Sequence, residues 1–193
     1  PAEQSRRLEF VTLPHVGPLD TFAARIRAER GCGREVPWFD PLDGGIGAPI
    51  LFLLAVPGPK AVNTGFVSRD NPDESAENWL LANEAACLDR RLTVTWNVIL
   101  WYLGDGVRIR SPRSSDIRDG LSYLVRLLSV LPALRVIGMV GSNACTAERT
   151  LRATTKAALV RIPHPSPRNL NARPGARLQL AESIGACRAL LYD

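Results

Sequence analysis

Apolar positions along the chain switch between helical spacing and short continuous runs. Leu19, Phe22, Ala23 and Ile26 share one helical face, which predicts a helix over residues 19–30 that Gly31 ends. A stretch rich in Gly, Pro and Asp, residues 37–47, reads as loop. Residues 50–56 form an unbroken apolar run bounded by turn residues, the pattern of a strand buried on both faces. Asn71-Pro72 opens a helix over 73–87, with Asp73 and Glu74 in its first turn, where the macrodipole favours acids. A second strand covers 92–100. Ser115 or Asp116 caps a helix over 117–131, with Leu121, Leu124, Val125 and Leu128 facing inward. A third strand, 135–140, turns through Gly141-Ser142 into a helix over 143–154. A fourth strand, 157–162, leads through a Pro-rich loop, 163–174, to a last helix over 176–191.

Strands alternating with helices at this spacing predict an α/β fold. The expected architecture is a three-layer α/β/α sandwich around a central four-stranded parallel sheet. A chain of 193 residues suits one domain over 1–193. Ligands of such folds sit beyond the carboxyl ends of the strands. Four loops therefore matter: after Val56, around 97–104, after Val140 and after Ile162.

Composition narrows the classes. Apolar residues make up 46% and charged residues 22%, which excludes a disordered or fibrous chain. The net charge is +5, and Lys60 and Lys156 are the only lysines among 24 cations. Arginine forks phosphate and stays charged when partly buried, so a nucleic-acid partner is consistent with the charge. Cys32, Cys87, Cys145 and Cys187 are widely spaced, with no CxxC pair and no histidine-rich partner set, which argues against a metal cage and a disulfide scaffold. The first residues are polar, and the longest apolar run is far below the roughly 20 residues that span a bilayer. The expectation is a soluble, cytoplasmic monomer without metal, cofactor or membrane contact.

Three segments carry chemistry. After the first strand, Ala55-Val56-Pro57-Gly58-Pro59 fixes a tight turn. It reads either as an ordinary strand-to-helix turn or as one whose amides face a ligand, with Phe66 nearby as core or as a stacking ring. Asn97 interrupts an apolar strand, Trp96-Asn97-Val98-Ile99-Leu100, and is costly there unless its amide is satisfied. It is either a satisfied core asparagine or a donor–acceptor pair that matches a nucleobase edge. The third segment is His164-Pro165-Ser166-Pro167-Arg168, a histidine held rigidly between prolines, with Ser166 and Arg168 suited to phosphate. His15, the other histidine, has no such context.

In order, these segments resemble the uracil-DNA glycosylase superfamily over roughly residues 48–170. His164-Pro165-Ser166-Pro167 matches one of its motifs literally. Trp96 to Leu100 looks like its uracil-reading strand, Pro57-Gly58-Pro59 like its first-motif turn, Gly65-Phe66 like its stacking aromatic, and Val140-Gly141-Ser142 like its phosphate-contacting turn. The chain departs from the pattern where several branches place a water-handling acid or amide: here that position is Val56, and Ala55 stands where another branch has Glu. Gly58 replaces the tyrosine that blocks thymine, and the cluster-bearing cysteines are missing.

The resemblance implies a monofunctional glycosylase that flips uracil from single- or double-stranded DNA and releases free uracil. His164 would donate to uracil O2, Asn97 would read N3–H and O4, and Phe66 would stack on the ring. The backbone around Ala55, Val56 and Gly58 would line the base. Pro59, Ser142, Ser166 and Arg168 would contact DNA, with Arg108, Arg110, Arg113 and Arg173 on the same face. Arg161 and Arg168, together with burial, would keep His164 neutral. Asp70, four residues past Phe66, is the nearest acid to serve the attacking water, and Leu170 is a candidate wedge or a core residue. The alternatives are a non-catalytic binder of uracil or damaged DNA on the same fold, and an enzyme of small nucleotides.

Overall fold

A computed structural model of the chain describes residues 2–31, 35–105 and 109–192. Arg108 and Cys32 lie outside the described residues. The chain opens with α1 (Ala2–Leu8), α2 (Gly17–Arg30) and a short strand β1 (Trp38–Phe39). The first strand of the main sheet, β2 (Ile50–Leu54), leads through α3 (Pro59–Thr64), β3 (Phe66–Val67) and α4 (Glu74–Ala85) to β4 (Thr93–Asn97). Then follow α5 (Ser114–Leu128), β5 (Val136–Val140), α6 (Glu148–Thr154), β6 (Ala158–Ile162), α7 (Pro167–Leu170) and α8 (Ala176–Ala189).

The central sheet has four parallel strands in the order β4-β2-β5-β6, and β1 pairs with β3 in a separate parallel ribbon. Alternation along each strand feeds two cores. Leu51, Leu53, Val94, Trp96, Ile137 and Met139 pack with residues of α2, α5 and α6 on one face. Ile50, Phe52, Val136, Val140 and Ile162 pack with α4 and α8 on the other. The expected α/β/α layering is therefore present, and continuous apolar runs were its signature because both faces are covered. Connections from β2 run to one side of the sheet and those from β5 to the other. That reversal opens a crevice at the carboxyl ends of β2 and β5. Among the described residues no helix is long and apolar enough to cross a membrane.

Local chemistry sets the element ends, and several differ from expectation. The second strand stops at Asn97, because Val98 and Ile99 donate their amides to Leu54 and Ala55 and the chain then turns away. The helix expected at 117 starts three residues earlier. Asp116 is its third residue and accepts from the Arg113 amide at 2.8 Å, an acid reaching back to the cap. Its buried face carries Gly120, Leu124 and Leu127, whereas Val125 is exposed. The helix expected over 143–154 begins as a 3-10 turn, Ala144–Ala147. Leu170 is 4% exposed and belongs to the second core, so it is not a wedge.

Candidate active site

A cavity of about 440 Å³ opens at the carboxyl edge of the sheet. Three segments expected to matter meet there: the loop after β2, the end of β4, and the loop after β6. Ala55, Val56, Gly58 and Pro59 border it, as do Asn97 and His164. Pro59 begins α3, where proline's missing N–H costs nothing and its fixed φ suits the helix.

Thr93, Thr95 and Asn97 alternate onto one face of β4, and the last two border the cavity. Asn97 is 1% exposed, yet neither its Oδ1 nor its Nδ2 has a hydrogen-bond partner. A buried amide with both polar atoms unpaired costs free energy unless a ligand supplies the partners. Beside it, α4 contributes Ser75, Ala76 and Trp79, and Trp79 Nε1 also lacks a partner.

His164 is held from four directions. The Ser166 amide donates to its Nδ1 at 3.1 Å. The Asn169 Nδ2 donates to its carbonyl at 2.8 Å, and Asn78 Nδ2 donates to the Pro165 carbonyl at 3.1 Å. Gly141, at φ +82°, lies under the ring, and a Cβ there would come within 3.0 Å of it. Because Nδ1 accepts, the neutral ring carries its proton on Nε2, which is then the available donor. His164 keeps part of its surface exposed at the cavity mouth, yet the loops packed around its ring desolvate it and lower its pKa from the ordinary histidine value, which favours the neutral ring. Arg161 does not share in this, since Glu148 binds its guanidinium at 2.6 Å.

Arg69, not singled out by sequence, is buried at the cavity wall. Its Nη2 donates to Thr93 Oγ1 at 2.7 Å, and its Nε has no partner. Behind it lies an ionic cluster in which Arg90 reaches Asp40 at 3.0 Å and Asp43 at 3.1 Å. Burial and the neighbouring Asp40 raise the Asp43 pKa to about 7.

Two expected site residues lie elsewhere. Asp70 is not at the cavity wall. Its carboxylate accepts from Arg7 at 2.9 Å and from Arg90 at 3.1 Å, and those arginines hold its pKa below the usual value against burial. Phe66 also misses the cavity, for a reason of parity. On β3 successive side chains point to opposite sides, so Val67 borders the cavity while Phe66 is buried beside Trp38, ring centroids 6.2 Å apart. Ser166 stands at the N-cap position of α7 without a side-chain cap bond, Arg168 is exposed on α7, and Ser142 is exposed on the turn after β5. Arg110 is committed to Asp116 at 2.6 Å, and Arg173 to Gln179.

Trp79, Arg69, Thr95 and Asp73 were not picked as site residues. Asp73 was read as an ordinary helix-start acid, and it is indeed the N-cap of α4, but it also borders the cavity. A second, smaller cavity of about 220 Å³ shares Ala55 and is lined by Ser111, Asn143 and Thr146 among others.

Comparison with known proteins agrees with this geometry. No curated protein matches the chain. Among solved structures, the solution NMR structure of a candidate uracil DNA glycosylase from Methanosarcina acetivorans superposes with a TM-score of 0.53 at 19% identity, covering 76% of this chain and 94% of that one. At that identity the likeness concerns the fold. The family model of the Uracil DNA glycosylase superfamily matches residues 43–183, a span that holds the central sheet, the cavity and its histidine, and so the chain belongs to that superfamily.

Proposed function

We propose that the protein is a uracil-DNA glycosylase that hydrolyses the bond between uracil and deoxyribose. Membership of the superfamily supports a glycosylase-type function. The observation that carries uracil is the Asn97 carboxamide, buried at the cavity wall with a free donor and a free acceptor side by side. Uracil offers the complement, N3–H and O4, on one edge.

A stacked base is out of reach of such a cavity, so the nucleotide must be extruded from the DNA. Asn97 then reads N3–H and O4. His164 Nε2–H donates to O2, where negative charge grows as the bond to the sugar breaks. A fixed donor of this kind contributes about 3 kcal/mol in a dry site. The neutral ring suits the task, because its donor is oriented in advance by the Ser166 amide on the opposite nitrogen. Lys60 at the cavity rim, with Ser166 and Arg168 beyond it, supports contact with the flanking phosphates.

Ala55 and Val56 carry no acid, and this favours one rival, a non-catalytic binder of uracil in DNA. An oligonucleotide with one uracil, treated with the protein and then with alkali, separates the two. A glycosylase leaves an alkali-labile abasic site at the uracil position. An intact strand under conditions of full binding identifies a binder.

A further inference from the structure

Hydrolysis requires a placed water, and the loop after β2 has no side chain to place it. We propose that the Asp73 carboxylate is the general base that holds this water and takes its proton, an inference that rests on the glycosylase reading above. Among the described residues, Asp73 is the one acidic side chain that borders the cavity shared by Asn97 and His164.

Its two oxygens have different duties. Oδ1 accepts from the Ser75 amide at 3.0 Å and the Ala76 amide at 3.1 Å, which caps α4 and fixes the carboxylate in place. Oδ2 has neither a hydrogen bond nor an ion pair. Capping needs one oxygen only, and serine or asparagine would serve as well. The second oxygen and the negative charge are in excess of what the helix requires. Asp70 presents the contrast, with both Arg7 and Arg90 on its carboxylate. Ala76 and Trp79, on the same helix, border the same cavity, so a rigid element carries the carboxylate.

In the reaction the bond between C1′ and N1 breaks and its electron pair stays with uracil, on N1 and on O2 facing His164. The sugar becomes oxocarbenium-like, and the charge of Asp73 stabilises it. The water oxygen forms the new bond to C1′, and its proton passes to Asp73 Oδ2. Asp73 then loses that proton to solvent, and the uracil anion is protonated as it leaves. One water is consumed, and the products are an abasic sugar and uracil.

The test is single-turnover excision from a uracil-containing oligonucleotide by the wild-type protein, D73N and D73S. Both substitutions keep a capping oxygen, so thermal melting should stay close to wild type, while the carboxylate is lost. The expected result is a fall in rate of about 10²-fold or more in both variants, the scale of a lost general base, with binding to uracil-DNA nearly unchanged. Wild-type release of uracil with unchanged rates in both variants overturns the assignment of Asp73 alone. A wild-type protein that binds uracil-DNA and releases no uracil overturns the glycosylase reading, and this inference with it.

Discussion

His164 and Asn97 differ in how their polar atoms are committed. His164 has one nitrogen engaged by the Ser166 amide, while Asn97 has both polar atoms open. Replacing His164 by alanine should slow single-turnover excision by roughly 10²–10³-fold, the cost of losing one donor to the developing anion, with a much smaller loss of DNA affinity. The pH dependence follows from the lowered pKa. The active form is neutral, so the acid limb of the rate should lie below pH 6.5, and it should vanish in the alanine variant if His164 sets it. The same shift has a stability sign. A histidine whose folded pKa is depressed contributes its full stability above the unfolded value, and that contribution is lost as pH falls below about 6.5. Asn97→Ala should abolish uracil excision, since the cavity then lacks the groups that pair with the base. Full uracil activity in that variant would refute the reading of the base edge. Both residues were legible because each stands out against its immediate neighbours, a carboxamide in an apolar strand and a histidine between prolines. Trp79 and Asp73 were not, because what brings them to the cavity wall is the packing of α4 over the end of the sheet, which no local pattern records.

The segment α3-β3-α4 supplies most of one cavity wall, and here one-residue parity decided which side chains reach it. Phe66 and Val67 exchange the roles that proximity in sequence suggested, because a strand of two residues flips each side chain relative to the next. Asp70 lies on the following turn, where Arg7 from α1 and Arg90 from the turn before β4 converge on it. The helix α1 was not anticipated, so its arginine could not be counted as a partner. Asp70→Asn should therefore lower the melting temperature, because it leaves two part-buried guanidinium groups short of a carboxylate, and it should leave the single-turnover rate at the wild-type value. A loss of rate without a loss of stability would put Asp70 back into the chemistry. The four strands of the central sheet and the helices α2, α4, α5, α6 and α8 were read in the right order because apolar period and turn residues agree there, whereas α1, α3, α7 and the two-residue strands β1 and β3 were not read at all. The ends shifted where a cap or a departing strand amide set the boundary, as at Asp116 and Asn97.

At the scale of the molecule, the parallel sheet gathers loops from β2, β4 and β6 at one edge, and this placement was predictable from strand–helix alternation alone. Charge was less transparent. Several arginines that composition offers to phosphate are instead engaged internally: Arg90 with Asp40, Asp43 and Asp70, Arg110 with Asp116, Arg126 with Glu29 and Arg161 with Glu148. Lys60 borders the cavity and Arg168 is exposed beside it, so affinity for DNA should fall as salt rises. Removing Lys60 or Arg168 should weaken binding to all sequences alike and reduce the salt slope by about one. Equal salt slopes for wild type and both variants would move the DNA path to another face. The central claim is that this cavity removes uracil from DNA, and the free base is its most direct readout. With protein in excess over DNA carrying one uracil, chromatography of the small-molecule fraction should show one equivalent of uracil released in a single exponential, with the DNA backbone intact until alkali is added. Bound DNA that keeps its uracil, with no free base in solution, would contradict the account.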